Sequence, residues 1–342
     1  MLRTKLSIAI ALVAALALLV PAAYADEGTT TGSFGAASKP PEVTAIEIYT
    51  DSGCTIVANF MDPLTTYYAK LTVTSHNKLK HLDEVQATIF YNATGADNMT
   101  APGTGDTHDC AILTCTVGPP ASWAIDSGAP TTWQITPGSC SQPADLNTTT
   151  GDWIFAFIPG KVARENVAPA DWDAQGKATN KQSQSGEAYV RDKDMNFYGE
   201  ITVTTASVDW GDVPLGLTFE NATYNPETNI NINYIANGDY SENIKSSDNW
   251  TGAVSLDVVT LDVTGGNPPA ADSQFALKGN DTSDNTTAIV VTNSYLSIDA
   301  TGQITAEAGD DVNTNTLWLS ISAAGIVPDT YSGSIYYEIA DR

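Results

Sequence analysis

The chain has 342 residues, with 15 Lys and Arg against 40 Asp and Glu, a formal charge of −25. A field of that sign excludes nucleic acid as a natural partner and disfavours an anionic membrane surface, since both need cationic side chains. Hydrophobic residues make up 42% and the charges are dispersed, so the chain reads as a folded acidic protein rather than a disordered tail.

Residues 1–25 read as a cleaved secretory signal peptide. Arg3 and Lys5 precede an apolar run over 6–20, and Pro21 and Ala23-Tyr24-Ala25 lead to Asp26. The run is short for a membrane span and is interrupted by Pro21 and small residues. Cleavage after Ala25 leaves 317 of the 342 residues, and loss of Arg3 and Lys5 takes the charge from −25 to −27. That length suits two domains in an extracellular setting. Residues 26–41, rich in Gly, Thr and Ala with Phe34 as the large apolar residue, read as a flexible N-terminal segment that in a filament would add a strand to a neighbouring sheet.

From residue 42 onward, short alternating runs are separated by Gly, Pro, Asn and Asp, and no long stretch holds a 3.6-residue period. Strands are expected at 43–49, 55–60, 67–74, 85–91, 153–158 and 197–205, with a turn at 79–84. These make a first sandwich over 42–205. Residues 95–151 are Gly/Pro/Thr-rich and carry three of the four cysteines, so they read as an insertion held by disulfides. Export and an even count point to two bridges among Cys54, Cys110, Cys115 and Cys140, with all three pairings open. Zinc is the weaker account, because neither His81 nor His108 belongs to a second paired element.

Asp192, Asp194 and Asn196 place oxygen ligands at alternate positions, a pattern that a loop can gather around calcium. Phe197 stands where an EF-hand has its turn glycine and Val203 where it has its bidentate Glu, so such a site would borrow ligands, Glu200 among them. Asp310 with Asp311 and Asp281 with Asp284 are weaker versions. A second sandwich is expected over 206–342, with strands at 207–213, 230–235, 253–263, 274–277, 288–298, 317–322 and 330–339. No flexible linker separates the two. Seven Asn-x-Ser/Thr sequons follow the signal, at Asn92, Asn98, Asn147, Asn221, Asn249, Asn280 and Asn285, each expected in an exposed turn and each an acceptor in a glycosylating host.

The stretch Pro328-Asp329-Thr330-Tyr331-Ser332-Gly333-Ser334-Ile335-Tyr336-Tyr337 resembles the closing turn and last strand of immunoglobulin-like domains in bacterial and archaeal surface proteins. Val208-Asp209-Trp210-Gly211-Asp212-Val213-Pro214-Leu215-Gly216 resembles their opening strand. The first half is similar to such modules at Tyr67-Tyr68-Ala69-Lys70-Leu71-Thr72-Val73 and Gly151-Asp152-Trp153-Ile154-Phe155-Ala156-Phe157-Ile158-Pro159-Gly160. These motifs cover about a fifth of the chain and imply a fold: two tandem immunoglobulin-like antiparallel β-sandwiches, all-β, a logic shared by secreted matrix proteins of the TasA-like group.

Catalytic signatures are missing from the sequence. His76, His81 and His108 accompany neither a Gly-x-Ser-x-Gly elbow nor a His-Glu-x-x-His helix, and no phosphate-cradling glycine loop occurs. Asp152 beside Trp153, and Asp171 with Asp173 around Trp172, are the nearest thing to a glycosidase carboxylate pair. Trp123, Trp133 and Trp250 are candidates for stacking on sugar rings. The sequence therefore predicts a non-enzymatic secreted component of the cell surface or extracellular matrix, structural or adhesive, that contacts itself or other surface proteins. A carbohydrate-binding module is the alternative. Arg342 follows the last expected strand directly, which predicts a protein that is released or retained by assembly.

Overall fold

A computed structural model describes residues 31, 33, 38–97, 99–126, 128, 131–309 and 313–342. The expected signal peptide, Phe34, the sequon residue Asn98 and the pair Asp310 and Asp311 lie outside these residues. The described residues are all-β, with two 3-10 turns at Leu79–His81 and Pro137–Ser139.

Ten strands build the first half: β1 (Glu42–Tyr49), β2 (Phe60–Met61), β3 (Tyr67–Thr74), β4 (Leu82–Asn92), β5 (Cys110–Thr116), β6 (Ser122–Ile125), β7 (Gln134–Ile135), β8 (Thr150–Ile158), β9 (Asp171–Asn180) and β10 (Ser185–Met195). One sheet runs β1-β3-β8-β7 and the other β2-β10-β9-β4-β5-β6, antiparallel throughout except at the β2 edge. Strand β3 shows the cause in its pattern. Tyr67, Ala69, Leu71 and Val73 point into the core, while Tyr68, Lys70, Thr72 and Thr74 alternate outward. The facing sheet supplies Val85, Ala87, Ile89, Leu113, Trp172 and Ala174, against Trp153, Phe155 and Phe157 of β8. Each large side chain so buried contributes about 1.5–3 kcal/mol of transfer free energy. On the outer face, Asp152 joins Lys70 at 2.9 Å and accepts from Thr72 Oγ1 at 2.7 Å across the β3–β8 pair.

The second half holds β11 (Gly199–Val203), β12 (Glu227–Ala236), β13 (Tyr240–Ser246), β14 (Asn249–Gly252), β15 (Val258–Leu261), β16 (Gln274–Asn280), β17 (Ile289–Val291), β18 (Leu296–Gly302), β19 (Asn313–Ile321), β20 (Tyr331–Ser332) and β21 (Ile335–Asp341). An eight-stranded sheet runs β11-β12-β19-β16-β15-β14-β20, with β17 on β16, and a three-stranded sheet runs β18-β13-β21. Their shared core stacks Tyr234 on Tyr240 at 5.6 Å and Trp250 on Phe275 at 4.6 Å, with Ile244, Leu277, Ile298, Leu317 and Leu319 around them. Gly333 lies against the Trp250 indole, where a Cβ would come within 1.9 Å of Cδ1.

Four expectations are corrected. Residues 95–151 are not an insertion, because β5 lies inside the six-stranded sheet with Leu113 and Cys115 in the core. The polar stretch around Asp192 is not a loop but the end of β10, paired with β9 through a bulge between Val190 and Lys193. The strand expected at 197–205 as the close of the first half is β11, which pairs with β12 of the second. Residues 207–213 form no strand: Asp209 Oδ1 accepts from Gly211 N at 2.8 Å in a turn, while Trp210 still packs on Trp250 at 6.0 Å. Lys39–Arg342 forms one compact unit.

Candidate functional site

Two polar constellations stand out against this frame, and both lie near the end of β10. The first is on the outer face of the six-stranded sheet. Asp171 and Asp173 are two apart on β9 and so share that face, while Trp172 between them enters the core. The bulge puts Asp192 at φ 59°, and its side chain meets Asp171. Arg191 Nη1 donates to Asp173 Oδ2 at 2.6 Å, and Asn92 Nδ2 donates to the same oxygen at 3.1 Å. Asp173 is 0% exposed, and Oδ1 of both Asp171 and Asp173 is buried without a partner.

Burial, reinforced by Asp173 and Asp192, pushes Asp171 up to about 6. Burial also raises Asp173, against the opposing pull of Arg191. The pair can hold a proton in mild acid.

The structure does not bring the three expected calcium ligands together. Asp194 accepts from Asn166 Nδ2 at 2.6 Å, Asn196 Nδ2 donates to Asp62 Oδ1 at 2.6 Å, and Asp192 turns to Asp171. The bulge between Val190 and Lys193 turns Asp192 toward β9, while Asp194 and Asn196 are each engaged by a residue from elsewhere in the chain. Among the described residues, no group of three or more His, Cys, Asp or Glu side chains is arranged around a common metal position.

The second constellation is the seam where β10 passes into β11. Asn237, fully buried in the β12–β13 turn, is its hub. Its Nδ2 donates to Ala163 O at 2.8 Å and Asn196 O at 2.9 Å, and its Oδ1 accepts from Tyr198 N at 2.7 Å. Glu165 N donates to Asn237 O at 2.9 Å. Further along, Glu307 accepts from Thr131 and Thr132, His108 Nε2 lies 2.9 Å from Thr305 O, and Lys161 reaches Glu200 at 3.4 Å. Burial tends to raise Glu307, but the hydrogen bonds from Thr132 and Thr131 outweigh it and hold the carboxyl below its ordinary value. Glu165 is the seam's exception. Burial first, then Asp341 and Asp239, push it up to about 7.

The remaining candidates are dispersed. Cys54, Cys110, Cys115 and Cys140 are unbridged, with Cys110 and Cys115 buried. Asn92 and Asn280 are buried with their amides engaged, contrary to the exposed turns expected for them; the Asn92 amide serves Asp173 and that of Asn280 serves Thr287. Asn147 and Asn249 are exposed, and Asn221 and Asn285 are half-buried. The tryptophans considered for sugar stacking are packed instead. Trp133 lies on Trp172 at 5.9 Å, Trp123 edge-on to Phe155 at 5.1 Å, and Trp250 between Trp210 and Phe275.

What the surface does present is apolar and pre-organised. Asp51 accepts from Thr55 N at 2.9 Å and Ile56 N at 2.7 Å, fixing a turn that leaves Ile56 61% exposed beside exposed Val57, Phe60 and Leu64. Asp329 accepts from Val254 N at 2.9 Å and Ser255 N at 2.6 Å, fixing a turn that leaves Val254 88% and Leu256 73% exposed. Hydrogen bonds from Ile56 N and the Thr55 groups hold Asp51 below the usual carboxylate range. Those from Ser255, Val254 and Thr330 bring Asp329 down to about 2. These staples are not legible in the sequence, because their partners become neighbours only when the turns close.

No family model matches the chain, and no curated protein matches it. Among solved structures, it is similar at 11% identity and a TM-score of 0.31 to one described under "Chaperone-tip adhesin complex is vital for synergistic activation of CFA/I fimbriae biogenesis", covering 84% of this chain and 95% of that one. A second, dimeric latent PorU from Porphyromonas gingivalis, is similar at 9% identity and a TM-score of 0.11, with 88% of this chain and 33% of that one covered. Among the described residues, no helix is long and apolar enough to cross a membrane.

Proposed function

We propose that this chain is a secreted, non-enzymatic structural or adhesive component of the cell surface or extracellular matrix, built from two immunoglobulin-like sandwiches and associating with copies of itself. The observation that carries the reading is the pair of apolar turns stapled by Asp51 and Asp329. Apolar side chains on a mobile loop lose entropy on binding, whereas side chains on a backbone already fixed by an aspartate lose less. Exposed apolar side chains held together on a fixed turn mark contact sites, and one stapled turn of this kind lies in each half. The seam makes the arrangement useful for a structural part, since hydrogen bonds centred on Asn237 tie connecting segments of the two halves together.

The test is light scattering on the purified mature chain, alongside Val254→Asp with Leu256→Asp and, separately, Ile56→Asp with Phe60→Asp. The reading expects concentration-dependent growth for the parent chain and its loss in either double variant, with circular dichroism unchanged. A parent chain that stays monomeric up to the highest soluble concentration would overturn it.

A further inference from the structure

We propose that the exported chain forms one intrachain disulfide, between Cys115 and Cys140, and that Cys54 and Cys110 remain thiols. The placement of the four side chains leads there by elimination. Cys110 and Cys115 are five apart on β5, an odd spacing that sends them to opposite faces. Cys110 packs with Phe90 and Ile112 on the outer face of its sheet, whereas Cys115 belongs to the core between the sheets. Cys54 lies outside the other sheet, where Lys70, Asp51 and Asp152 act on it. Cys54 and Cys110 are therefore separated by both sheets and the core, roughly 10 Å or more, beyond the reach of a disulfide.

Cys115 and Cys140 converge. Cys115 stands opposite Trp123 in the β5–β6 pair, and β6 packs against the 3-10 turn Pro137–Ser139 that ends at Cys140. Cys115 also borders Trp153, whose neighbour Ile154 bridges to Ser141, next to Cys140. Among the cysteines, Cys140 is the one whose charge acts on Cys115. The Cys140 sulfur sits at the sheet margin, accepting from Ala156 N at 3.3 Å, and is half-buried. Closing this pair ties the ends of the β6–β7 excursion to the core and leaves both outer-face cysteines unchanged.

The chemistry is thiol–disulfide exchange with an organic disulfide. The Cys140 thiolate attacks one of its sulfurs and expels a thiolate; the Cys115 thiolate then attacks Cys140 in the mixed disulfide and expels the second. Two protein thiols are oxidised, the organic disulfide is reduced to two thiols, and these take up the two protons. Burial pushes Cys115 up to about 12, so the second step is slow in the folded protein and fast while the core is still open.

The oxidising compartment rests on the reading of the chain as exported, and refolding in vitro separates the two ideas. The reduced, unfolded chain is refolded with oxidised glutathione, alkylated without reduction, and mapped by tandem mass spectrometry. The expected result is a Cys115–Cys140 cross-linked peptide with alkylated Cys54 and Cys110, lost in Cys140→Ser. Incubating the folded reduced protein with the same reagent should give that product at least tenfold more slowly. Alkylation of both Cys115 and Cys140, or a bridge that includes Cys54 or Cys110, overturns the proposal. A correct bridge in vitro with a chain found unexported would leave the pairing standing and remove the surface role.

Discussion

Replacing Glu165 with Gln should stabilise the protein above neutrality and leave it unchanged in acid. The carboxyl moves from 4.5 to about 7 on folding, through burial and then through Asp341 and Asp239. A folded-state value above the unfolded one means that the native protein binds the proton more tightly. The stabilisation this provides is complete below about 4.5 and is lost as the pH rises through about 7. At about 1.4 kcal/mol per pH unit the full span gives about 3.5 kcal/mol, and partial solvent access reduces this to about 2 kcal/mol.

Gln keeps the size of the protonated side chain and cannot ionise. Urea denaturation followed by tryptophan fluorescence at pH 4.5, 6 and 8 should show the variant equal to the parent at the first pH. At the last it should be about 2 kcal/mol more stable. The comparison cancels the self-repulsion of the acidic chain, which both proteins share. A stability difference independent of pH would refute the reasoning, since the effect would then lie in packing rather than in the buried charge.

Further outcomes follow from the same geometry. Asp171→Asn should behave like Glu165→Gln over a lower window, 3.8 to about 6, again gaining stability only on the alkaline side, as read by denaturation at pH 4 and 7. Arg191→Met strips Asp173 of its ion pair and should cost about 3–5 kcal/mol at pH 7, with part of the loss recovered at pH 4 where the stranded carboxyl takes a proton. Asn237→Ala removes three seam hydrogen bonds and leaves buried partners unpaired, a loss of about 3 kcal/mol measurable by calorimetry. Gly333→Ala drives a methyl into the Trp250 indole and should cost about 1–3 kcal/mol, with a shift in tryptophan emission reporting the displaced ring.

The all-β class and several strands could be read from alternation, because β1, β3 and β8 bury one face and expose the other. Strand β9 could not be read that way. It is buried on both faces, and Asp173, Ala174, Gly176 and Ala178 fill it with small or polar residues, so no hydrophobic period appears. Strand β10 looked like a cation loop for a related reason, since Asp192, Asp194 and Asn196 each satisfy a different neighbour from another part of the chain. The core face of β5 was masked by the Gly/Pro-rich sequence on either side of it. The seam was invisible for a topological reason. His108 meets Thr305 and Glu307 meets Thr131 across nearly two hundred residues, a separation at which local pattern carries no information.

Negative-stain electron microscopy of the mature chain over a concentration series, with Val254→Asp/Leu256→Asp as the control, decides whether the stapled apolar turns drive self-association. Ordered polymers or sheets are expected from the parent chain and not from the control. Single particles at every concentration, or identical assemblies from both proteins, would contradict it.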